Sequence, residues 1–226
     1  MVILVASCDK NDDIFYAFYH CMEKYWENHP EIIYATETIK NPYYKTINYN
    51  YPLDKWTVRM RKTLQDIDDD KILLMIDDCF IRTYVDEARI KYVEENLKDN
   101  IANFNFEKSW DANDEISSYK GFKKRMKGSS YEVSMLCGMW QKSALISILA
   151  RDCDPWTIET EQESGPYDYY TNSSAPIIDW GYETWLPAGI YKGKWCKEIV
   201  PFFEKEGITV DYEKRGFAYQ YYNTLF

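Results

Sequence analysis

Lys71-Ile72-Leu73-Leu74-Met75-Ile76-Asp77-Asp78-Cys79-Phe80-Ile81 is the stretch on which the fold is read. Ile72 to Ile76 is an unbroken apolar run, set off by Asp68-Asp69-Asp70 before it and by two adjacent carboxylates after it. A short apolar run bounded by polar clusters predicts a strand buried on both faces, as in a parallel sheet. In open α/β sheets, ligands bind outside the carboxyl ends of the strands, where Asp77 and Asp78 would stand. Two like charges side by side are costly unless water or a cation meets them. Position alone leaves two readings level. One is an Asp-Asp pair holding a divalent metal and, through it, an anionic substrate; the other is a solvated turn closing a core strand.

Working outward, Val2-Ile3-Leu4-Val5-Ala6 reads as a first central strand. A polar loop, Ser7-Cys8-Asp9-Lys10-Asn11, leads to a helix with Ile14, Phe15, Phe18, Tyr19, Met22 and Trp26 at helical spacing, capped by Asp12 or Asp13. Ile32 to Thr36 is a strand of β-branched and aromatic character, and Lys40 to Tyr51 a loop rich in Tyr and Asn. Trp56 to Ile67 reads as a helix with Trp56, Met60, Leu64 and Ile67 on one face and Arg59, Arg61 and Lys62 on the others. Strand, helix, strand, helix, strand with short links is a β-α-β-α-β series, which predicts an α/β fold with a mostly parallel sheet.

Beyond Ile81 the pattern predicts a helix over Tyr84–Leu97, a strand over Ile101–Phe106, and a surface loop over Trp110–Gly128. It then predicts a strand over Tyr131–Leu136 and a helix over Gln141–Leu149, capped by Ser143. Gln162 to Ala175 is polar and Tyr-rich and reads as the mobile segment. Short strands follow at Ile177-Ile178 and Ala188–Tyr191, then a turn at Gly193-Lys194-Trp195. A helix over Cys196–Glu206, interrupted by Pro201 and ended by Gly207, precedes an aromatic tail from Tyr212. Nothing repeats at a fixed period, and no low-complexity linker splits the chain, so residues 1–226 read as a single domain.

The 226 residues are 46% hydrophobic, enough for a real core, and 28% charged. Aromatics reach 17%, with 21 Tyr and 8 Trp, which suits either sugar-stacking surfaces or core filling. A net charge of −10 argues against nucleic acid as a partner, because neutralising phosphates takes clustered Lys and Arg. It is compatible with a site where a metal supplies the positive charge. The 6 Cys form no C-x-x-C pair and have only 2 His beside them, so they read as reduced core thiols and not as a zinc site. Met1 to Ala6 is too short for a signal segment, and no run approaches a membrane span. The expectation is a soluble cytoplasmic protein, with docking at the inner face of the membrane left open.

Several pieces in order resemble one family. They are the Val2–Asp9 strand and loop, Trp56-x-x-Arg59, Leu73 to Phe80 with its Asp77-Asp78, Leu136 to Trp140, Asp154-Pro155-Trp156-Thr157-Ile158-Glu159, and Gly193-Lys194-Trp195. Together they resemble bacterial GT-A-fold nucleotide-sugar glycosyltransferases of capsule and exopolysaccharide biosynthesis. The chain departs from the usual Asp-x-Asp signature, since its pair is contiguous. The resemblance implies a GT-A-like, Rossmann-like sheet flanked by helices, with a nucleotide-binding half to about Ile81 and an acceptor half over residues 82–226.

It also implies transfer of a sugar from a nucleotide-diphosphate donor to a glycan or lipid-linked acceptor, with Mn²⁺ or Mg²⁺ held by Asp77 and Asp78. Asp9 would contact the nucleotide, its other reading being a turn residue. Arg59 and Lys194 would meet donor phosphates; otherwise they are a surface ion pair and an exposed turn lysine. Gly193 would allow close backbone approach. Trp156 would stack on an acceptor sugar. Glu159, placed after a helix and with Glu161 as its alternative, would take the acceptor proton in an inverting transfer. If configuration were retained, no base would be needed and Glu159 would only bind acceptor hydroxyls. The rival readings are a nucleotidyltransferase, which would want a Gly-rich loop where Ser7-Cys8-Asp9-Lys10-Asn11 stands, and a non-enzymatic glycan-binding protein.

Overall fold

Ile72 to Ile76 do form a central strand, β4 (Lys71–Ile76), with Ile72, Leu73, Leu74 and Met75 fully buried. The computed structural model describes residues 1–108, 115–129, 131–161, 164–181 and 189–218. β4 pairs in parallel with β1 (Val2–Ala6), which pairs in parallel with β2 (Ile32–Thr36), and β2 with β3 (Lys45–Asn48). Helix α1 (Phe15–Tyr25) and helix α2 (Trp56–Gln65) supply the crossovers.

Past β4 the direction changes. Helix α3 (Glu87–Asn96) leads to β5 (Ile101–Lys108), but β5 does not pair with β4. The strand between them is β8 (Gly138–Gln141), antiparallel to both. β9 (Asp168–Asn172) runs parallel to β5, β7 (Phe122–Lys124) is antiparallel to β9, and β6 (Glu115–Ile116), antiparallel to β7, finishes the edge. The nine-stranded order is β3-β2-β1-β4-β8-β5-β9-β7-β6. Only β8 and β7 run against the others among the described residues. This is the expected α/β class: a mostly parallel sheet flanked by helices.

Both faces of the sheet are apolar because both are covered. One face packs Ile3, Val5, Leu73 and Met75 against Phe18 and Met22 of α1, Ile90 and Val93 of α3, and Phe203 of α6 (Val200–Glu206). The other packs Val2, Leu4, Ile72 and Leu74 against Met60 and Leu64 of α2, Leu145 and Ile148 of α4 (Lys142–Ile148), and Ile158 of α5 (Pro155–Glu161). No helix of the described residues is long and apolar enough to cross a membrane. All six cysteines are free.

Several local expectations are corrected. Asp12 and Asp13 do not cap α1, which is entered through a 3-10 turn over Asp9–Ile14; they pair instead with Lys214 and Arg215. β3 lies inside the loop expected over Lys40–Tyr51. The strand expected at Tyr131–Leu136 is displaced to β8, where Met139 and Trp140 point to opposite faces and are both buried. Ser143 is not a cap. Gln162–Ala175, read as mobile, contains β9, whose Tyr169 to Asn172 are buried in the sheet. Ile177-Ile178 provides only a bridge from Ile178 to Val85. Pro201 opens α6 without interrupting it, because a helix's first turn has no partner for the missing N–H. Trp110, Ala188 and the tail from 219 onward lie outside the described residues.

Leu74 sits in the middle of β4 and is fully buried. Leu74→Ala is expected to cost about 2–5 kcal/mol from lost transfer energy plus the cavity left behind. The shift in the urea unfolding midpoint at unchanged slope measures it.

Candidate active site

β1, β2 and β4 end at one edge, and the side chains just past their ends interlock. Asp77 is 2% exposed and both its oxygens are engaged. The Ser7 hydroxyl, one residue past β1, donates to Oδ2, and Asn11 Nδ2 donates to Oδ1 at 2.8 Å. Asn11 Oδ1 in turn accepts from Arg215 Nη2 at 3.0 Å, which settles the orientation of its amide. Asp78 is partly buried, and its Oδ1 is sealed from solvent with no hydrogen-bond partner.

The two carboxylates are therefore unequal. Burial, and then the charge of Asp78, push the Asp77 carboxyl up to about 7, against the bonds from Ser7 and Asn11. Burial pushes Asp78 up to about 6, with Arg215 among the groups pulling it back. A buried acceptor oxygen without a donor is costly unless something meets it. Asp77-Asp78 forms the turn that closes β4, and within it Asp78 Oδ1 is the oxygen left without a donor. No group of three or more His, Cys, Asp or Glu gathers for a metal among the described residues. An octahedral ion held by one or two carboxylates completes its shell from substrate phosphates and water, so the pair fits Mg²⁺ or Mn²⁺.

Arg59 departs from expectation. It is 2% exposed on α2, with Nη2 donating to the Ser7 carbonyl at 2.8 Å and Nη1 paired with Glu37. Glu37 Oε2 also accepts the Asp9 N–H at 2.6 Å. Arg59 is thus neither a surface ion pair nor open to a phosphate. It is a buried post that holds Ser7 in place and, through Ser7, Asp77. Asp9 opens the 3-10 turn, and its carboxylate accepts the N–H groups of Thr38 and Ile39 at 2.9 and 3.0 Å and the Thr38 hydroxyl at 2.5 Å. Burial would raise it, but these bonds outweigh that and hold it below the usual carboxylate range. Its turn-forming reading is the one its contacts describe.

The chain returns to this edge near its end. Gly189 donates its N–H to the Asp78 carbonyl at 2.7 Å, and a Cβ at Gly189 would stand 2.4 Å from the Phe80 ring, so only glycine fits. Cys196 N–H closes on Gly189 O at 2.9 Å, rooting the hairpin of β10 (Ile190–Tyr191) and β11 (Lys194–Trp195) on Asp78. Lys194 is exposed on this hairpin, and Trp195 beside it is buried. Gly193 has φ +77° and open space around it, so it serves the turn and not a close approach. Helix α7 (Tyr212–Arg215), capped by Asp211, presents Arg215 to Asp13 at 2.7 Å and to the Lys10 carbonyl at 2.8 Å.

The remaining candidates lie together on α5. Asp154 Oδ1 accepts Thr157 N–H at 2.9 Å and Pro155 follows it, a cap and first-turn proline readable in the sequence. Glu159 therefore lies inside a helix, not after one. Its Oε1 accepts Met135 N–H at 2.7 Å and faces the Ser134 hydroxyl at 3.4 Å. Burial still raises its carboxyl above the usual range. Trp156 is 62% exposed on the first turn, and Glu161 makes an exposed ion pair with Arg151 at 3.3 Å. Asp77, Asp78 and Lys194 are thus brought to one edge, Asp9 flanks it, and Arg59 lies beneath. Ser7, Asn11 and Arg215 were missed, because single polar residues in a loop or a one-turn helix carry no periodic signal.

No protein family matches the chain by sequence, and no curated protein does. Solved structures are similar at low identity. The galactosyltransferase LgtC, solved with donor and acceptor sugar analogs, is 13% identical over 96% of this chain and 99% of its own, with a TM-score of 0.46. The 2-C-methyl-D-erythritol 4-phosphate cytidylyltransferase from Thermus thermophilus is 9% identical over 79% and 90%, with a TM-score of 0.47. TarS 1-349 of S. aureus, in complex with UDP, is 8% identical over 75% and 60%, with a TM-score of 0.43. At these values the functional argument rests on the chain's own geometry.

An acid raised on folding binds more protons when folded, so its contribution to stability is complete below the unfolded carboxylate range and is lost as pH rises through the folded value. For Asp78 that window runs from about 4 to about 6. In metal-free buffer, Asp78→Asn is expected to match the wild type near pH 4 and to exceed it at pH 8 by up to roughly 3 kcal/mol. Unfolding curves of both proteins across that range with EDTA present measure the difference.

Proposed function

We propose that this chain is a metal-dependent glycosyltransferase that moves one sugar from a nucleotide-diphosphate donor to a glycan or lipid-linked acceptor, with inversion. The observation that carries the reading is the Asp77-Asp78 pair at the carboxyl ends of the parallel strands, with Asp78 Oδ1 buried and unpartnered. Asp78 would hold the ion directly, and Asp77, fixed by Ser7 and Asn11, would support it from behind. A bound Mn²⁺ or Mg²⁺ supplies positive charge against that developing on the leaving diphosphate.

The chain's own residues supply the rest. Lys194 stands exposed on a hairpin rooted on Asp78, from which an ammonium can reach the diphosphate as a point charge. Arg59 and Glu37 keep Ser7 and the Asp9 turn rigid, so the pair is organised before substrate arrives. On the acceptor side, Trp156 offers an exposed ring for stacking on a sugar face, and Glu159 places negative charge near the acceptor hydroxyl. A role in surface polysaccharide synthesis at the inner face of the membrane rests on the sequence resemblance alone. A nucleotidyltransferase draws less support, since the loop after β1 has no glycine and the Asp9 N–H is already bonded to Glu37.

Calorimetry with UDP and GDP is expected to show binding that depends on Mn²⁺, and a screen of nucleotide sugars with metal to reveal slow donor hydrolysis. Asp78→Ala is expected to lose both while keeping its unfolding midpoint at pH 7 or raising it. Unchanged hydrolysis in that variant would overturn the reading.

A further inference from the structure

β5 carries a run of polar side chains, two buried and the third partly buried. Asn103, Asn105 and Glu107 alternate along it, while Phe104 and Phe106 take the other face. Asn103 and Asn105 are each 2% exposed. Buried amides are normally satisfied, and Asn103 Nδ2 does meet the Met139 carbonyl at 3.2 Å. Asn105 is different. Its Oδ1 accepts the Glu107 N–H at 2.7 Å, which fixes the other end of the amide as nitrogen, and that Nδ2 is buried with no partner. Beside it, the Glu107 carboxylate accepts no hydrogen bond among the described residues; the bonds of Glu107 are those of its backbone N–H and of its carbonyl with Thr171.

An unmet N–H donor next to an unmet carboxylate matches a hydroxyl group, which accepts one hydrogen bond and donates another. The register says where that hydroxyl would lie. Leu74 of β4 and Asn105 of β5 both stand opposite Gly138 of β8. Asp77-Asp78 follows β4, and Glu107 lies where β5 bulges against β9, two strand spacings or about 10 Å across the same edge. That gap suits one sugar ring between a diphosphate at Asp78 and a hydroxyl at Glu107. The charge of Glu107 helps to raise the thiols of Cys79, next to Asp78, and of Cys137.

We infer that Glu107 and Asn105 form the acceptor-hydroxyl subsite, with Glu107 as the catalytic base. This rests on the transferase reading. The acceptor hydroxyl accepts from Asn105 Nδ2 and gives its proton to Glu107 as its oxygen bonds to the anomeric carbon. The bond from that carbon to the diphosphate oxygen breaks, and its electron pair leaves on the diphosphate. Attack opposite the leaving group inverts the anomeric centre. Glu159 is less suited to the proton, because Met135 and Ser134 already occupy its Oε1. The groups facing Glu107 are Glu159 from α5, Arg125 after β7, and the two thiols. Burial and then the charge of Glu159 push Glu107 up to about 7, against Arg125, which suits a base working near neutrality.

The test is hydrolysis of a panel of UDP- and GDP-sugars with Mn²⁺, using water and simple alkyl glycosides as acceptors. Glu107→Gln is expected to lower kcat by about 10²–10⁴-fold with donor KM within about threefold, and to erase the pH–rate limb near 7. Glu107→Asp should restore part of the rate, and the wild-type product should be inverted. Glu107→Gln turning over at the wild-type rate with the limb intact would overturn the subsite while leaving the transferase reading standing. A wild type that binds no nucleotide with metal overturns that reading and this one together. A wild type that binds nucleotide but turns over no donor overturns the subsite.

Discussion

Negative charge pushed out of water at the end of β4 is the constraint on which the other parts of this edge depend. Asp77 is nearly sealed, and its carboxylate is held by a hydroxyl from the end of β1 and an amide from the 3-10 turn. Those two donors have to be in place, and each is fixed by something else. Arg59 holds the carbonyl of Ser7, and Arg215 holds the amide of Asn11. Breaking a buried ion pair such as Arg59–Glu37 leaves an uncompensated charge, typically worth about 3–5 kcal/mol. The pair is therefore kept in one geometry by partners that come from four separate parts of the chain.

The segment from Gly189 to Arg215 closes over this edge. Gly189 bonds the Asp78 carbonyl, Trp195 packs with Phe203 and Tyr212, and Arg215 reaches back to Asp13. Within the sheet, reversal of β8 has the complementary effect. By separating β4 from β5 it sets Glu107 two strands from Asp78 on the same edge, leaving a gap where a direct neighbour would have left none. The two carboxylates are thereby held apart by backbone hydrogen bonds and not by flexible side chains.

Much of the first half was legible in the sequence, and the reasons are local. β1, β2 and β4 are short, purely apolar runs, and α1 and α2 carry clear helical spacing. The second half is less regular. β9, Asp168-Tyr169-Tyr170-Thr171-Asn172, looks like a polar loop but is a buried strand whose Asn172 bonds backbone carbonyls. α5 had a readable start in Asp154-Pro155 that periodicity over so short a helix did not reveal. Arg59 looked like a surface charge because a helix pattern does not say which polar residue is buried against a partner 22 positions away.

The sequence by itself determined the βαβ half and the place of Asp77-Asp78 past a core strand. Those follow from short-range patterns of apolar and polar residues. Tertiary structure decided which groups face the pair, because contacts such as Ser7 with Asp77, Arg215 with Asn11 and Glu159 with Met135 join residues distant in the chain. It also decided that Asp78 Oδ1 is buried without a partner, and that Asn105, bonded to the Glu107 N–H, has a buried Nδ2 without one. Burial and partner geometry set those outcomes, and neither is a property of any one stretch of sequence.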